Sequence, residues 1–452
     1  MKDSSKKEKT LIVIGLLLIG FGILSNEWII AALFSPDGLI SSKERMIIWV
    51  FDLLLIGFGT STILYRNSNI MINIYISLCS LLFMFIVTEL YFSLFNPQYT
   101  ENSEHDGLFE YHSTFGWQFI PHTSGRMVLP YEHETNVIIN SVGMRDREYN
   151  LTKPKRSKRV VVIGDSFTSG LGVDDNEVFT EVMEDSLLSN IEVLNFGVNG
   201  FGPTQEFLIL KDKGLEYNPD IVVMVIYIRN DFDDIIGTFN WIKGYQRPRA
   251  ILNNDGEITF ENIPVPPPII VESRVVVPLP TLHSIQFIKR RLIDKYNIVQ
   301  MPPEVRLGKK QYSAEITMAY DLMKSIIEST YSLCRENGAE FVVVIAPTIV
   351  QVYEEKYWTE IKQLYNIDDN LYDLYLPNKE LKRMCLDQGI NVLDLTPILK
   401  SYAILGSDLY YSRNKHWNAI GHSIVAREIV EYLIDNNLLA SNDLLIGEEV
   451  YE

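Results

Sequence analysis

Cysteine is scarce in this 452-residue chain, with only Cys79, Cys334 and Cys385. An odd, sparse set is no disulfide framework. Cys334 and Cys385 each fall on a helix-like segment, which argues against their pairing. No His/Cys/Asp cluster stands at metal-ligand spacing, so neither a metal nor a cofactor is implied. Positive charge is also in short supply: 40 Lys and Arg face 58 Asp and Glu, for a net charge of −18. An acidic chain without a basic stripe argues against nucleic acid as a partner. Internal repeats and low-complexity tracts are missing too, which excludes solenoids and propellers.

What the chain does have is unevenly spread. Three long apolar runs occupy the first 95 residues, at 11–34, 46–65 and 70–95. Each is at least as long as the ~20 residues needed to cross a ~30 Å hydrocarbon core. One short run with a small-residue cleavage site would suggest a signal peptide. Three in succession predict a retained anchor over residues 1–95. Lys2, Lys6, Lys7, Lys9 and Arg66 lie on one side of these spans, Lys43 and Arg45 on the other. That bias predicts a cytoplasmic amino terminus and an extracytoplasmic remainder. Asp52 and Glu89 lie within the runs, near the outer face in this topology, where water can reach them. Acidic and basic residues cancel over the anchor, so the net negative charge belongs to the outer part.

Residues 96–158 read as a lead-in subdomain or linker, rich in His, Tyr, Gly and Pro. From Arg159 strands and helices alternate, which predicts a parallel sheet covered by helices. Strands are expected at Arg159–Gly164, Glu192–Phe196, Ile221–Ile228, Glu340–Ala346 and Asn391–Leu395. All are nearly continuous in apolar residues, as strands buried on both faces are. Helices are expected at Asp175–Leu188, Thr204–Lys213, Ala314–Glu336, Asn378–Gln388 and Asn418–Asn436, with Gly338 and Gly389 as C-terminal caps. The alternation breaks at about 236–311. There PVPPPIIVESRVVVPLP is too proline-rich for a central strand, and LHSIQFIKRRLIDKY reads as a basic amphipathic helix. This stretch is an insertion in a domain spanning 159–452.

Four short strings carry chemistry. In RVVVIGDSFTSGLG, Ser166 follows a β-branched strand, so its hydroxyl stands at the rim of the sheet with its own N–H free to bind an anion. Gly197, Gly200 and Gly202, in LNFGVNGFGPTQ, allow a tight turn with inward N–H groups. In YIRNDFDD, Asn230 can present its amide to an oxyanion while Asp231 anchors the loop by accepting backbone N–H bonds. In RNKHWNAIGHSIVA, His416 lies in a loop where an imidazole can face a cleft, and His422 falls a turn into the next helix. Each string alone is weak. Together they lie at the edge where α/β sheets carry their sites.

Over about residues 159–436 these blocks resemble the SGNH/GDSL hydrolase superfamily: Gly164-Asp165-Ser166, Gly200, Asn230-Asp231 and His416. The resemblance implies a three-layer α/β/α, flavodoxin-like domain. It implies Ser166 as nucleophile, His416 as base, and an oxyanion hole from the N–H groups of Ser166 and Gly200 and the Asn230 amide. Gly200 is chosen over Gly197 because the family glycine lies about five residues after a strand-end Asn, here Asn195. Asp165 and Asp231 are expected to anchor their loops. The lead-in region, ending INSVGMRDREY, resembles membrane-anchored members associated with acetylation of envelope polysaccharides. One departure stands out. The family carries Asp three or two residues before its histidine, where this chain has Arg413 and Asn414. The group orienting His416 is therefore Asn414, through its amide oxygen, Asp408 from a segment looping back, or a backbone carbonyl. The implied activity is a serine esterase that deacylates an O-acetylated envelope glycan. An O-acyltransferase, a lipase acting at the membrane surface and a non-catalytic glycan-binding scaffold are the alternatives.

Overall fold

A computed structural model of the chain describes residues 2–24, 42–66, 69–95, 107–129, 132–237, 242, 244–253, 255–268 and 301–444. It divides into two compact units, one of residues 1–100 with 270–299, the other of 101–269 with 300–452.

In the first unit the apolar runs fall on three helices: α1 (Lys2–Leu24), α2 (Ser42–Leu64) and α3 (Asn69–Phe95). Residues 25–34 of the first run lie outside the described residues. Among the described residues no helix is long and apolar enough to cross a membrane. The Thr62 hydroxyl of α2 and the Tyr75 hydroxyl of α3 are hydrogen-bonded at 2.6 Å.

The second unit is built on five parallel strands: β5 (Lys158–Gly164), β6 (Ile191–Gly197), β7 (Ile221–Tyr227), β10 (Glu340–Ala346) and β11 (Asn391–Asp394). Their order is β11-β10-β7-β5-β6. Apolar residues on both faces make the sheet the centre of two cores. Val161, Ile163, Met224 and Ile345 point to one, Val160, Val162, Val225 and Val344 to the other. Helices α5 (Pro203–Asp212) and α8 (Ala314–Glu336) pack into the first core, and α4 (Phe179–Ser186) and α13 (Ala419–Asp435) into the second. Ser313 caps the start of α8 by accepting from the Ile316 N–H, and Gly338 follows its end at φ +74°. Cys334 and Cys385 are buried free thiols.

The lead-in segment forms two antiparallel hairpins, β1 (Phe109–His112) with β2 (Gly116–Phe119), and β3 (Ser124–Leu129) with β4 (His133–Ile138). Trp117, Phe119, Met127 and Val137 join the first core, so the hairpins share it with the α/β layers. The insertion supplies a third hairpin, β8 (Arg249–Leu252) with β9 (Ile258–Glu261). Its expected amphipathic helix lies outside the described residues, as does most of its proline-rich string.

Candidate active site

The strand order reverses at β5: the chain steps from β5 to β6 on one side, then returns to place β7 on the other. The crevice beyond the carboxyl ends of these strands is where such sheets bind ligands. Ser166 stands two residues past β5. The backbone winds into a tight turn there, with the Ser169 N–H on the Asp165 carbonyl (2.9 Å) and the Leu171 N–H on that of Ser166 (3.0 Å). Glycine at both strand ends permits the packing. A Cβ on Gly164 would meet Thr168 Oγ1 at 2.1 Å, and one on Gly197 would meet the Ser169 nitrogen at 2.4 Å.

His416 comes from the loop before α13, 250 residues further along, and its Nε2 lies 2.7 Å from Ser166 Oγ. Its Nδ1 is hydrogen-bonded to Asn414 Oδ1. An amide oxygen only accepts, so Nδ1 carries the proton and Nε2 turns its lone pair to the serine hydroxyl. Phe167 stacks on the imidazole at 4.6 Å between centroids. Asp408 is not the orienting group: what it offers the loop is a backbone carbonyl, which accepts from Asn418 Nδ2 at 2.7 Å. Asn414 holds the position because it is two residues from His416 and the intervening Lys415 turns left-handed, at φ +70°. His422 is buried and its Nδ1 accepts from the Phe179 N–H at 3.2 Å. Burial, with Arg145 and His416 nearby, pushes its pKa down to about 3, so it stays neutral as a packing residue.

The N–H groups of Ser166 and Gly200 make no hydrogen bond among the described residues. Gly200 has φ +75°, and its turn is tied to the Ser166 turn through Ser169 Oγ and Asn199 Oδ1. Asn230 follows β7 and reaches the acidic side chains around it. Its amide nitrogen donates to Asp234 (2.9 Å), Asp231 (3.1 Å) and Asp165 (3.2 Å). An amide has two hydrogens, and three buried carboxyls compete for them. Asp165 and Asp231 do anchor their loops, accepting from the N–H groups of Phe167 (2.8 Å) and Tyr227 (2.7 Å).

Behind Asn230 lies a buried acidic group that the sequence motifs only hinted at, in the string DFDD. Asp165, Glu206, Asp231 and Asp234 are all buried, with Arg247 bonded to Asp234 at 2.8 Å. Burial raises Asp165 to about 7, with the Asp234 charge adding to it. Burial first, then the neighbouring carboxylates, pushes Glu206 and Asp231 well above the usual carboxylate range. Burial thus favours the protonated forms of these carboxyls. Arg247 also donates to the Gly200 carbonyl at 3.3 Å, and the Trp117 indole donates to the Asn199 carbonyl at 3.0 Å. Both lie outside the sheet segment, in the insertion and the lead-in hairpin, and no local motif marked them. A further residue from that region, Glu132, accepts the N–H groups of Arg413 (2.6 Å) and Asn414 (2.8 Å). Among the described residues no cluster of His, Cys, Asp or Glu could hold a metal ion.

No family model matches the chain, and no curated protein does. Solved structures do resemble it. A lipolytic protein of the G-D-S-L family from Veillonella parvula aligns at 12% identity over 61% of this chain and 97% of its own, with a TM-score of 0.33. A catalytic mutant of the acetylxylan esterase Axe2 from Geobacillus stearothermophilus aligns at 11% identity over 62% and 96%, with a TM-score of 0.33. A lipase/acylhydrolase from Enterococcus faecalis aligns at 12% over 62% and 96%, with a TM-score of 0.32.

Proposed function

We propose that this protein is a serine esterase working through an acyl-enzyme. The observation that carries the reading is the 2.7 Å contact between Ser166 Oγ and His416 Nε2, with the far ring nitrogen held by Asn414. Ser166 Oγ attacks the ester carbonyl while Nε2 takes its proton. The same proton passes to the departing alcohol. Water, deprotonated by Nε2, then attacks the acyl-serine and frees the acid. The N–H groups of Ser166 and Gly200 are the donors proposed for the oxyanion. Asn414 fixes the imidazole tautomer but brings no negative charge to steady the imidazolium, which predicts a slower catalyst than a Ser–His–Asp triad.

The finer reading is an O-acetylated envelope glycan as substrate, at a domain held outside the cytoplasm by the amino-terminal helices. The Lys and Arg bias of the first 95 residues supports it. So do the exposed apolar side chains of those helices, among them Leu17 (68%), Leu53 (69%) and Phe83 (67%).

A fluorophosphonate probe and an acetyl ester test the proposal in the full-length chain. Wild type should be labelled and should release acetate, and Ser166→Ala should do neither while keeping its melting temperature. A folded wild type that takes no label rejects the esterase. Acetate passing to an added glycan faster than to water converts the reading to an acyltransferase with the same residues.

A further inference from the structure

A side chain from outside the loop that carries the base holds its backbone. Glu132 stands one residue before β4. Its Oε1 accepts the Arg413 N–H at 2.6 Å and the Ser412 hydroxyl at 3.4 Å, and its Oε2 accepts the Asn414 N–H at 2.8 Å. Two successive backbone N–H groups on the two oxygens of one carboxylate fix the intervening peptide plane, and charge-assisted bonds of this kind are the strong ones. The loop needs fixing. Lys415, between Asn414 and His416, is left-handed at φ +70°, a conformation that a side chain with a Cβ resists. Two further backbone ties, the Tyr411 N–H on the His416 carbonyl (2.8 Å) and the Lys415 N–H on the Tyr411 carbonyl (3.0 Å), lie within the loop. The hairpin behind Glu132 is itself anchored. Thr135 Oγ1 donates to Asp174, and the Tyr411 hydroxyl donates to the Gly172 carbonyl at 2.6 Å, so β4 and the loop meet on the same stretch after Ser166.

We propose that Glu132 is a positioning residue for the base. Through the N–H groups of Arg413 and Asn414 it holds the Asn414 amide oxygen on Nδ1 of His416, and so makes the β3–β4 hairpin part of the active centre. This rests on reading Ser166 and His416 as nucleophile and base. It gives the orienting Asn the fixed backbone that a charged partner would not need: a carboxylate draws the imidazole N–H by charge, whereas a neutral amide relies on placement.

The test is a double-mutant cycle in the full-length chain, read by the rate at which a fluorophosphonate inactivates Ser166. Glu132→Ala should slow inactivation about 100-fold, the effect of displacing a catalytic group by ~1 Å, with the half-saturating probe concentration unchanged. Asn414→Ala should slow it to a similar extent. The double variant should match Asn414→Ala, because Glu132 acts through that residue. Multiplying effects, or a Glu132→Ala rate equal to wild type, overturn the proposal. Should Glu132→Ala fail to fold, Glu132→Gln keeps one accepting oxygen and should fall between; equality with wild type overturns the proposal. The ring-nitrogen NMR signals of His416 give a readout that needs no activity. Wild type should show the proton on Nδ1, and Glu132→Ala a mixture of tautomers. Unchanged ring signals overturn the positioning role even when the probe reacts slowly. A wild type that never reacts rejects the esterase reading, and the same signals still decide the role of Glu132.

Discussion

Replacing Asn414 by Asp puts a carboxylate where the base has a neutral acceptor, with almost no change in shape. Asn414 Oδ1 is hydrogen-bonded to Nδ1 of His416, so the new charge would sit about 5 Å from the centre of positive charge that forms on the ring in the transition state. At that separation a unit pair is worth about 3 kcal/mol at an effective dielectric of 20 and about 0.8 kcal/mol in water. Asn414 is half-buried, which places the gain between these limits. Glu132, whose carboxylate accepts the N–H of the same residue, repels the newcomer and pulls the gain toward the lower one. At 1.36 kcal/mol per factor of ten, Asn414→Asp should hydrolyse p-nitrophenyl acetate about 4- to 100-fold faster than wild type. The sign in pH follows from the same interaction. The base works as neutral imidazole, and a carboxylate favours imidazolium, so the acid limb of kcat/KM should move to higher pH. Rates measured from pH 5 to 9 on the full-length chain decide the matter. An Asp variant with wild-type rate and an unmoved acid limb, but a Ser166 still labelled by fluorophosphonate, would show that the imidazole does not use position 414.

Two further predictions concern stability. Glu206 is buried, and among the described residues neither of its carboxyl oxygens has a hydrogen-bond partner. Its folded pKa is raised, first by burial and then by Asp165 and Asp234, so its ionisation costs the native state progressively more as pH climbs above the unfolded value of about 4. Glu206→Gln should therefore raise the melting temperature more at pH 8 than at pH 5, and an offset that does not vary with pH refutes the assignment. His422 works in the opposite direction. Its folded pKa of about 3 lies below the unfolded ~6.5. Its contribution is thus complete above about pH 6.5 and drains away as pH falls toward 3. His422→Asn keeps an acceptor for the Phe179 N–H and removes the titration, so it should lose less stability than wild type between pH 6.5 and 4 in urea unfolding.

Strands were the most legible part of the fold. Residues 340–346 form a strand with the bounds expected, and the other four expected strands shift by a residue or two at their ends, because continuous Val and Ile leave few other uses for such segments. Amphipathic helices read well for the same reason: Ala314–Glu336 has the bounds expected. Among the helices that the sequence did not mark are Glu354–Tyr365 and Thr396–Ile404. The former buries only Trp358. The helix expected at Asp175–Leu188 breaks because Val178 is extended and buried, leaving a single tight turn before Phe179. Within the site, Ser166, His416 and Asn414 were visible because each lies beside its own motif. Glu132 lies about 280 residues from the loop it holds, and Arg247 comes from a hairpin in the insertion. Contacts at that sequence distance leave no local pattern. The crowding around Asn230 was hidden for another reason. Residues 231 and 234 are visibly acidic, but burial and the arrival of Glu206 from a different element turn them from ordinary surface acids into a buried cluster.

The nucleophile and its base come from opposite ends of the α/β sequence, 250 residues apart. A ribosome delivers Ser166 long before it delivers His416. Through most of synthesis the nascent domain thus holds a serine with nothing to activate it. Competence arrives only when the final helix, with the loop ahead of it, docks on the finished sheet. A polypeptide cut short anywhere before that loop should be chemically inert toward esters, however much of its sheet has formed.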